Sequence, residues 1–266
     1  MKIMIENAST RGKKMKKIEV KVLNPQEVEN SIQMMVCAAR LTQSGHKISS
    51  LKDFMDLYNK DYSTNTVKAM AGLPHPTIQK FGLINIVIVG ASRRFLAQIT
   101  RHQNETKFMS ASLQYSNYAG DSDFVVPYSI IKAGKQAEAR YIENCKNAMA
   151  EYKFFNENGV DNDACGYMAP QGLRNVLIMS CTPYQWKHII SQRVCRRNTL
   201  ETQYVMLKIW EALYKLDPVF FAPEVAGPFC QCGICKEGKM SCGNPIDKTM
   251  TPEEILRKDF PLLYEN

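Results

Sequence analysis

One short segment of the chain concentrates side chains that bind anions and amides. It contains Gln98, Arg101, His102, Gln103, Ser110, Ser112, Gln114 and Ser116. On a helix, Gln98 and Arg101 lie on one face, so an amide and a guanidinium can contact the same ligand. A guanidinium suits phosphate or carbonyl oxygens, and an amide both donates and accepts, as a pyrimidine edge requires. These residue types indicate a ligand site; the alternative is a charged helix end followed by a polar turn.

Hydrophobic periodicity indicates the elements that would position this segment. It predicts strands at 17–23, 83–89 and 175–179, and a short edge strand at 122–127 whose proline cannot donate to a ladder. It predicts helices at 25–41, 93–101, 135–155, 183–197 and 199–216, and a polar loop at 161–165. Gln98 and Arg101 therefore lie on a helix that directly follows a central strand.

Composition restricts the class of protein. The 266 residues are 45% hydrophobic, which is enough for a large core in one elaborated domain or two small ones. The net charge of +8 favours anionic partners, whether nucleotide phosphates, an anionic cofactor or nucleic acid. There is no Gly-x-Gly-x-x-Gly motif, no P-loop and no run of apolar residues long enough for a membrane span. We expect a cytoplasmic protein with a basic, flexible leader at 1–17.

The cysteines fall into two groups. Nine are present, and reduced thiols are expected in a chain of this size without an export signal. Four of them lie close together near the C-terminus, Cys230, Cys232, Cys235 and Cys242, enough for a tetrahedral Zn²⁺ site. Only one residue separates the first pair, which is poor spacing for a zinc knuckle. We expect no metal and a thiol-rich C-terminal cap, with zinc as the alternative.

Several of these motifs together resemble the flavin-dependent thymidylate synthases, the ThyX family. Arg101-His102-Gln103 followed by Ser112-Leu-Gln-Tyr-Ser116 is similar to the Arg-His-Arg signature and its Ser…Tyr-Ser ending. Upstream, 72–77 and Ser92-Arg93 resemble further family elements. Downstream, the helix with His188 and Arg193 and the tail at 227–242 also resemble family elements.

This resemblance implies a fold and an assembly. The fold is α+β, with a central, mostly antiparallel sheet flanked by helices, and the protein is a homotetramer with FAD sites shared between subunits. The catalytic domain would span 18–228, and a cysteine-containing extension would follow at 229–266. The implied reaction is the reductive methylation of dUMP to dTMP, with FAD as cofactor and NADPH and methylenetetrahydrofolate as co-substrates.

The resemblance also implies roles for single residues. Arg193 would be catalytic and stabilise negative charge on the pyrimidine. The nucleotide would be bound by Gln98, Arg101, Ser110, Ser112, Gln114 and Arg193. FAD would be bound by Thr77, Arg101, His102, Gln103 and His188, and His75 would lie near the folate or flavin. The alternatives are an exposed turn for His75, a core position for His188 and, for Arg193 with Arg196 and Arg197, a solvated helix face.

Some positions depart from the family pattern. Gln103 and Gln114 stand where the signature has arginines, and Gly166 falls where another nucleotide-binding arginine is expected. A lost charge-assisted hydrogen bond costs about 1.5–3 kcal/mol unless it is replaced. Arg174 or Lys107 could supply the missing charge. The departures leave another pyrimidine nucleotide, such as dCMP, as the alternative substrate; a zinc-containing nucleic-acid-binding protein is a further alternative.

Overall fold

The computed structural model describes residues 17–264 except Pro74 and Asp121. The strands are β1 (Glu19–Val22), β2 (Ile84–Ser92), β3 (Thr106–Ser110) and β4 (Arg174–Cys181). The first helices are α1 (Gln26–Ser44), α2 (Leu51–Tyr58), α3 (Thr64–Ala71), α4 (Arg93–Ile99), α5 (Tyr128–Lys132) and α6 (Lys135–Glu157). The others are α7 (Asn162–Cys165), α8 (Pro183–Arg193), α9 (Leu200–Leu216), α10 (Pro223–Ala226), α11 (Pro252–Asp259) and α12 (Pro261–Tyr264).

The four strands form one sheet in the order β1-β2-β4-β3, with antiparallel pairing throughout. The side chains alternate in burial along β2 and β4, as a sheet with one packed face requires. On the packed face, α9 lies against β1 and β2, and the rings of Trp186 and Trp210 are fully buried. The α+β architecture expected from the sequence is confirmed.

The C-terminal tail packs into the same core as the sheet. Ile255, Leu256 and Phe260 are fully buried in the main hydrophobic cluster, and the Phe260 ring contacts Tyr128 and Tyr204. Helix α11 packs directly on α9. The segment after Cys230 is therefore held at both ends by the core.

The opposite face of the sheet exposes apolar side chains. Ile178 on β4 is paired with Val87 on β2 and with Met109 on β3, and Val89 is paired with Val176. Met109 is 72% exposed, and Val89, Val176 and Ile178 are each about 40% exposed. We call this group, Val87, Val89, Met109, Val176 and Ile178, the apolar sheet face. A contiguous apolar surface of this kind is typical of a protein–protein contact.

Some predicted elements were wrong. The edge strand predicted at 122–127 is only a single bridge between Phe124 and Leu173. The loop at 161–165 contains the short helix α7, which Asp161 caps by accepting from the Ala164 N–H. Helix α8 ends at Arg193 rather than at 197, because a turn over 194–199 follows. Strand β3 was not predicted, and the leader at 1–16 lies outside the described residues.

Within the described part of the chain, no helix combines the length and the apolar composition that a membrane span requires.

Candidate active site

The turn between β2 and α4 fixes the start of the helix that carries the predicted site. Gly90 has a φ of +86° at an irregularity in the β2–β4 pairing, a conformation that glycine adopts without a steric penalty. Ser92 then caps α4 by accepting from the Phe95 N–H at 3.1 Å. The Glu201 carboxylate accepts from both the N–H and the hydroxyl of Ser92, at 2.7 and 2.5 Å. Helix α4 therefore begins at a rigid point.

Arg193 is the centre of a polar cluster at the other end of α4. Its Nε donates to His102 Nε2 at 2.7 Å, its Nη1 to Asn198 Oδ1 at 3.1 Å and its Nη2 to the Gln98 carbonyl at 3.2 Å. We call Gln98, His102, Arg193 and Asn198 the Arg193 cluster. The three bonds use all three nitrogens of the guanidinium, which is thereby held in one plane. The solvated helix face offered as the alternative for Arg193 is therefore wrong.

His102 is neutral in this cluster. Burial, then the charges of Arg193 and His188, lower the pKa of His102 to about 4. A neutral ring is also what the geometry requires, since Nε2 must accept from Arg193 and the proton is therefore on Nδ1. Burial and the nearby Arg101 lower the pKa of Arg193, and its guanidinium still remains charged at neutral pH. The cluster presents a fixed cation beside a neutral imidazole.

A first cleft, of about 480 Å³, lies near the start of α4. It is lined by Arg93, Ser110, Ala111, Ser112, Leu113, Gln114, Asp163, Gly166 and Tyr167. Ser112 Oγ accepts from the N–H groups of Gln114 and Tyr115, at 3.1 and 3.3 Å, and so shapes the segment into a turn. Leu113 anchors this turn by packing against a small core of Met149, Tyr152, Cys165 and Leu173. The hydroxyl-rich run thus forms one wall of a polar cleft.

Arg93 supplies the positive charge of the first cleft. Its Nη1 is buried and has no hydrogen-bond partner among the residues that the structure describes. A buried guanidinium nitrogen without a partner is rare, because leaving it unsatisfied costs free energy. The arrangement is therefore typical of a site for an anion. Arg93 follows directly from the Ser92 cap, so its position is set by the rigid turn.

Gly166 lines the first cleft together with Arg93. A Cβ at this position would lie 3.2 Å from the Cβ of Leu113, closer than most such contacts. The arginine expected here from the family pattern would therefore press against Leu113. The cleft has its arginine on α4 instead, and the sequence did not assign a role to Arg93.

The two residues suggested as substitutes for the missing charge do not line the first cleft. Arg174 lies over Gly90, and its Nη2 donates to the Lys17 carbonyl at 2.6 Å. Lys107 is exposed on β3. Neither side chain therefore adds its charge to the lining of the first cleft.

A second cleft, of about 260 Å³, lies between the end of α3, α8 and α10. His188 lines it with Gly72, Gln79, Tyr184, Lys187, Ser191, Glu224 and Phe229, among others. The rings of Tyr184 and His188 are nearly parallel, 6.3 Å apart at 13°, and His188 Nε2 is 2.8 Å from Gln192 Nε2. Burial lowers the pKa of His188. The His188 ring is half-buried at this cleft.

Lys187 is a buried cation at the base of the second cleft. Its Nζ donates to Gln79 Oε1 at 2.9 Å and lies 3.6 Å from the centre of the Phe220 ring. Burial lowers the pKa of Lys187 to about 7, and Asp217 partly opposes this shift. The sequence did not predict a role for this residue. Lys187 follows Trp186 on a helix whose neighbours are mostly apolar, and that pattern alone does not mark the lysine as part of a site.

The remaining predicted residues are on the surface around these features. Arg101 and Gln103 are exposed on the turn after α4, and the charge of Arg101 is close enough to affect Arg193. His75 and Thr77 are exposed at the 3₁₀ turn Pro76–Gln79, whose Gln79 lines the second cleft. The predicted residues thus form two polar centres, the Arg193 cluster and the first cleft, with an exposed rim.

The chain matches a known family over most of its length. Residues 25–219 match the family described as Thymidylate synthase complementing protein, which is well over half of the 266 residues. The chain belongs to this family. The family expected from the sequence is therefore confirmed, and with it the expectation of a flavin-dependent enzyme of the methyltransferase type.

Relatives of this family are distant in sequence. A flavin-dependent thymidylate synthase of Geobacter sulfurreducens is 26% identical over 212 residues, covering 79% of this chain and 88% of the relative. One of Pyrococcus abyssi is 26% identical over 192 residues, covering 68% of this chain and 76% of the relative. The protein is a divergent member of its family.

Two crystal structures share the fold of this family member. One is a UMP/dUMP methylase, PolB, from Streptomyces cacaoi bound with 5-Br dUMP, with a TM-score of 0.60 and 16% identity over 78% of this chain and 94% of that chain. The other is thymidylate synthase X from Helicobacter pylori with FAD and dUMP, with a TM-score of 0.57 and 15% identity over 77% and 97%. At these identities the likeness concerns the fold, and it confirms the expected ThyX-like architecture.

Proposed function

We propose that this chain is an FAD-dependent thymidylate synthase that converts dUMP to dTMP. The methylene carbon of methylenetetrahydrofolate replaces the hydrogen at C5 of the uracil, and NADPH provides the reducing equivalents that make it a methyl group. One observation carries the proposal: helix α4 connects a fixed cation to a cleft that suits an anion. Arg93 at its start lines the first cleft, and the carbonyl of Gln98 near its end accepts from Arg193. The family membership supports the same reaction.

The nucleotide phosphate is proposed to bind in the first cleft. Arg93 has a buried nitrogen with no partner among the described residues, and Ser110, Ser112 and Gln114 add hydroxyl and amide groups. A phosphate dianion would pair with Arg93 by charge-assisted hydrogen bonds, which are about twice as strong as neutral ones. The single carboxylate of the cleft, Asp163, is exposed. Ser112 serves as a positioning group and not as a nucleophile.

Arg193 is proposed to face the pyrimidine ring with Gln98 and Arg101. Methylation at C5 requires that carbon to act as the nucleophile toward the electrophilic methylene carbon. The negative charge that makes C5 electron-rich is shared with the carbonyl oxygen at C4. A preorganised cation stabilises this negative charge without reorganisation during the reaction. Bonds to His102, Asn198 and the Gln98 carbonyl hold the guanidinium in place. The activation is therefore electrostatic and needs no cysteine nucleophile.

The residues around the Arg193 cluster suit FAD. Arg101 is an exposed cation for a pyrophosphate, and the neutral ring of His102 can stand beside a flavin without adding charge. Gln103, Thr77 and His188 add hydrogen-bonding groups, and His75 is proposed to lie near the folate or flavin. When bound, FAD supplies the hydride chemistry that couples NADPH oxidation to reduction of the transferred carbon. The residues of the chain bind and orient the FAD and exclude water from it.

The FAD site is proposed to be completed by other copies of the chain in a homotetramer. The second cleft, of about 260 Å³, is smaller than the pockets of about 300–1,000 Å³ that enclose drug-sized ligands, so one chain can hold only part of a dinucleotide. The apolar sheet face supports this assembly, since its exposed side chains need a partner surface.

Replacing Ile178 by glutamate should therefore separate the subunits. The residue is at the centre of the apolar sheet face, paired with Val87 and Met109, so the new charge would be buried in the contact. We expect a folded monomer that has lost most of its FAD, measured by light scattering and by the flavin to protein absorbance ratio. Leu51→Glu is the control, because Leu51 is 77% exposed at the start of α2 and lies outside the sheet. An Ile178→Glu variant that remains an oligomer with full FAD would contradict the proposed interface.

The proposed ligands are tested by a flavin spectrum and a nucleotide titration. The purified protein should be yellow or become so with added FAD, and dUMP should perturb the flavin spectrum and slow reoxidation of the reduced flavin. Parallel titrations with UMP and dCMP decide among the pyrimidine nucleotides that Gln103, Gln114 and Gly166 leave open. A protein that cannot be loaded with FAD would contradict the proposal that this chain is a flavoenzyme. A preference for dCMP would contradict only the proposal that dUMP is the substrate.

A further inference from the structure

A partly open cavity beside the C-terminal end of α8 is lined by four thiols. Its volume is about 150 Å³, and its walls include Cys195, Cys230, Cys235 and Cys242. Cys195 comes from the turn after Arg193, whereas the other three come from the C-terminal extension. We call this space the thiol cavity. Two segments remote in sequence thus direct their cysteines into one small space.

We propose that these four cysteines bind one structural Zn²⁺ ion. Zinc in structural sites is bound by four ligands in a tetrahedron, and four thiolates are one of its common ligand sets. The set differs from the one that sequence suggested, because Cys195 takes the place of Cys232. Spacing could not reveal this exchange, since Cys195 is 35 residues from Cys230 in sequence.

Backbone N–H groups already point at three of the four sulfurs. The Ile246 N–H donates to Cys230 Sγ at 3.4 Å, and the Asn244 N–H donates to Cys242 Sγ at 3.4 Å. The backbone N–H of Arg197 donates to the Cys195 thiol. Donors of this kind stabilise thiolates and tune metal–sulfur sites. For Cys195 and Cys242 the donor is two residues after the cysteine.

The surrounding charges suit a tetrathiolate site. Zinc with four thiolates carries a net charge of −2, and Arg196 and Lys236 line the thiol cavity, with Glu237 as the single carboxylate there. Arg196 donates to the Asn244 carbonyl at 2.9 Å and forms a two-pronged ion pair with Asp259 at 2.8 and 2.9 Å. This arginine therefore joins the turn after α8 to the segment that carries Cys242.

Cys232 belongs to a different environment. Its Sγ donates to the carbonyls of Gly227 and Pro223, at 3.0 and 3.6 Å, and it does not line the thiol cavity. This cysteine is thus the matched control for the other three in the extension.

Ion binding requires a local adjustment. Within the described residues, no three His, Cys, Asp or Glu side chains are yet gathered at the spacing that one ion requires. Cys235 contacts the Ser241 hydroxyl at 3.7 Å, and only the 3₁₀ turn Gly238–Met240 gives the intervening loop regular structure. Closure of this loop would bring Cys235 and Cys242 onto an ion held by Cys195 and Cys230.

The site would brace the turn that follows Arg193. Asn198 accepts from Arg193, and its own amide donates to the carbonyls of Gln192 and Cys195 at 2.7 and 3.3 Å. A metal bond to Cys195 would fix the same turn from the other side. The proposal stands independently of the substrate, since it concerns ligand chemistry and not turnover.

Metal analysis of the full-length protein, purified without chelators or a metal-binding tag, tests the proposal. We expect roughly one zinc per chain. Cys195→Ser and Cys242→Ser should each lower the zinc content at least tenfold, whereas Cys232→Ser should retain it. Two further measurements use the wild-type protein and do not depend on the folding of a variant. Titration of its thiols with a mercurial should release the zinc, and protein refolded with Co²⁺ should show the absorption bands of tetrahedral thiolate coordination.

Three outcomes would overturn the proposal. The first is wild-type protein with less than about a tenth of a zinc and no Co²⁺ spectrum. The second is a Cys232→Ser variant that loses zinc while Cys195→Ser keeps it. The third is iron with inorganic sulfide in place of zinc, or disulfides among these cysteines found by mass spectrometry of the freshly purified protein.

Discussion

Replacing Arg193 by alanine should lower kcat about 10²–10³-fold while FAD remains bound. The magnitude is that of losing one preorganised donor at a site of developing charge. The same substitution removes a cation from His102, whose Nε2 is 2.7 Å from Arg193 Nε. The pKa of His102, about 4 in the wild-type protein, should therefore rise toward its ordinary value of 6.5, held partly down by burial. Single-turnover kinetics and NMR titration of the histidines measure the two effects.

Arg193→Lys separates charge from geometry. Lysine retains a cation near His102, so the pKa of His102 should remain well below 6.5, but one ammonium group cannot reproduce the planar contacts to His102, Asn198 and the Gln98 carbonyl. We expect kcat to remain depressed at least tenfold. An alanine variant that turns over within threefold of the wild-type rate would refute the catalytic role of Arg193.

The pH dependence of stability follows from His102. Its pKa is lowered on folding, so the unfolded chain takes up this proton first as the pH falls from about 6.5 to about 4. The contribution of His102 to the free energy of unfolding is therefore complete above this window and declines within it. In Arg193→Ala the pKa of His102 in the folded protein should rise. The decline in the free energy of unfolding should therefore begin at the same pH as in the wild-type protein and end at a higher pH.

Replacing Arg93 by glutamine should weaken dUMP binding about 10- to 150-fold, the equivalent of one charged hydrogen bond of about 1.5–3 kcal/mol. The effect should be absent for uridine lacking the phosphate, because the proposed contact of Arg93 is with the anion. Stability should not fall, since a buried nitrogen of the wild-type guanidinium has no partner in the described part of the chain. Calorimetric titration and thermal melting measure both quantities.

Arg94→Gln is the matched control for Arg93. Arg94 is the next residue of α4, carries the same charge and is exposed outside the first cleft. We expect the affinity for dUMP to change less than threefold. If both substitutions weakened binding equally, long-range charge and not a specific contact would explain the effect, and the assignment of the first cleft would fail.

The sequence predicted the parts of the fold that depend on local patterns. The apolar run at 83–89 followed by Gly90 and Ser92 indicated a buried strand, a turn and a capped helix, and β2 and α4 have this arrangement. The motif residues Gln98, His102 and Arg193 do meet, as the family resemblance implied. Strand β3 was missed because its residues alternate only weakly and its apolar Met109 faces outward.

Features that depend on distant packing could not be predicted. Arg93 lines the first cleft only because Leu113 and Gly166, both remote in sequence, line it as well. Cys195 lines the thiol cavity only because α8 ends at Arg193, four residues earlier than the periodicity indicated. Lys187 is buried because Phe220 and Gln79, both remote in sequence, cover it. Each of these depends on contacts between segments that no local pattern links.

Product formation by the FAD-loaded protein tests the central proposal most directly. The protein is incubated without oxygen with NADPH, dUMP and methylenetetrahydrofolate labelled with ¹³C at the methylene carbon, and the nucleotides are analysed by mass spectrometry. We predict dTMP that carries the label in its methyl group, lost when dUMP is replaced by dCMP and strongly reduced in Arg193→Ala. Unlabelled dUMP as the only nucleotide recovered from FAD-loaded, dUMP-binding protein would contradict the proposed reaction.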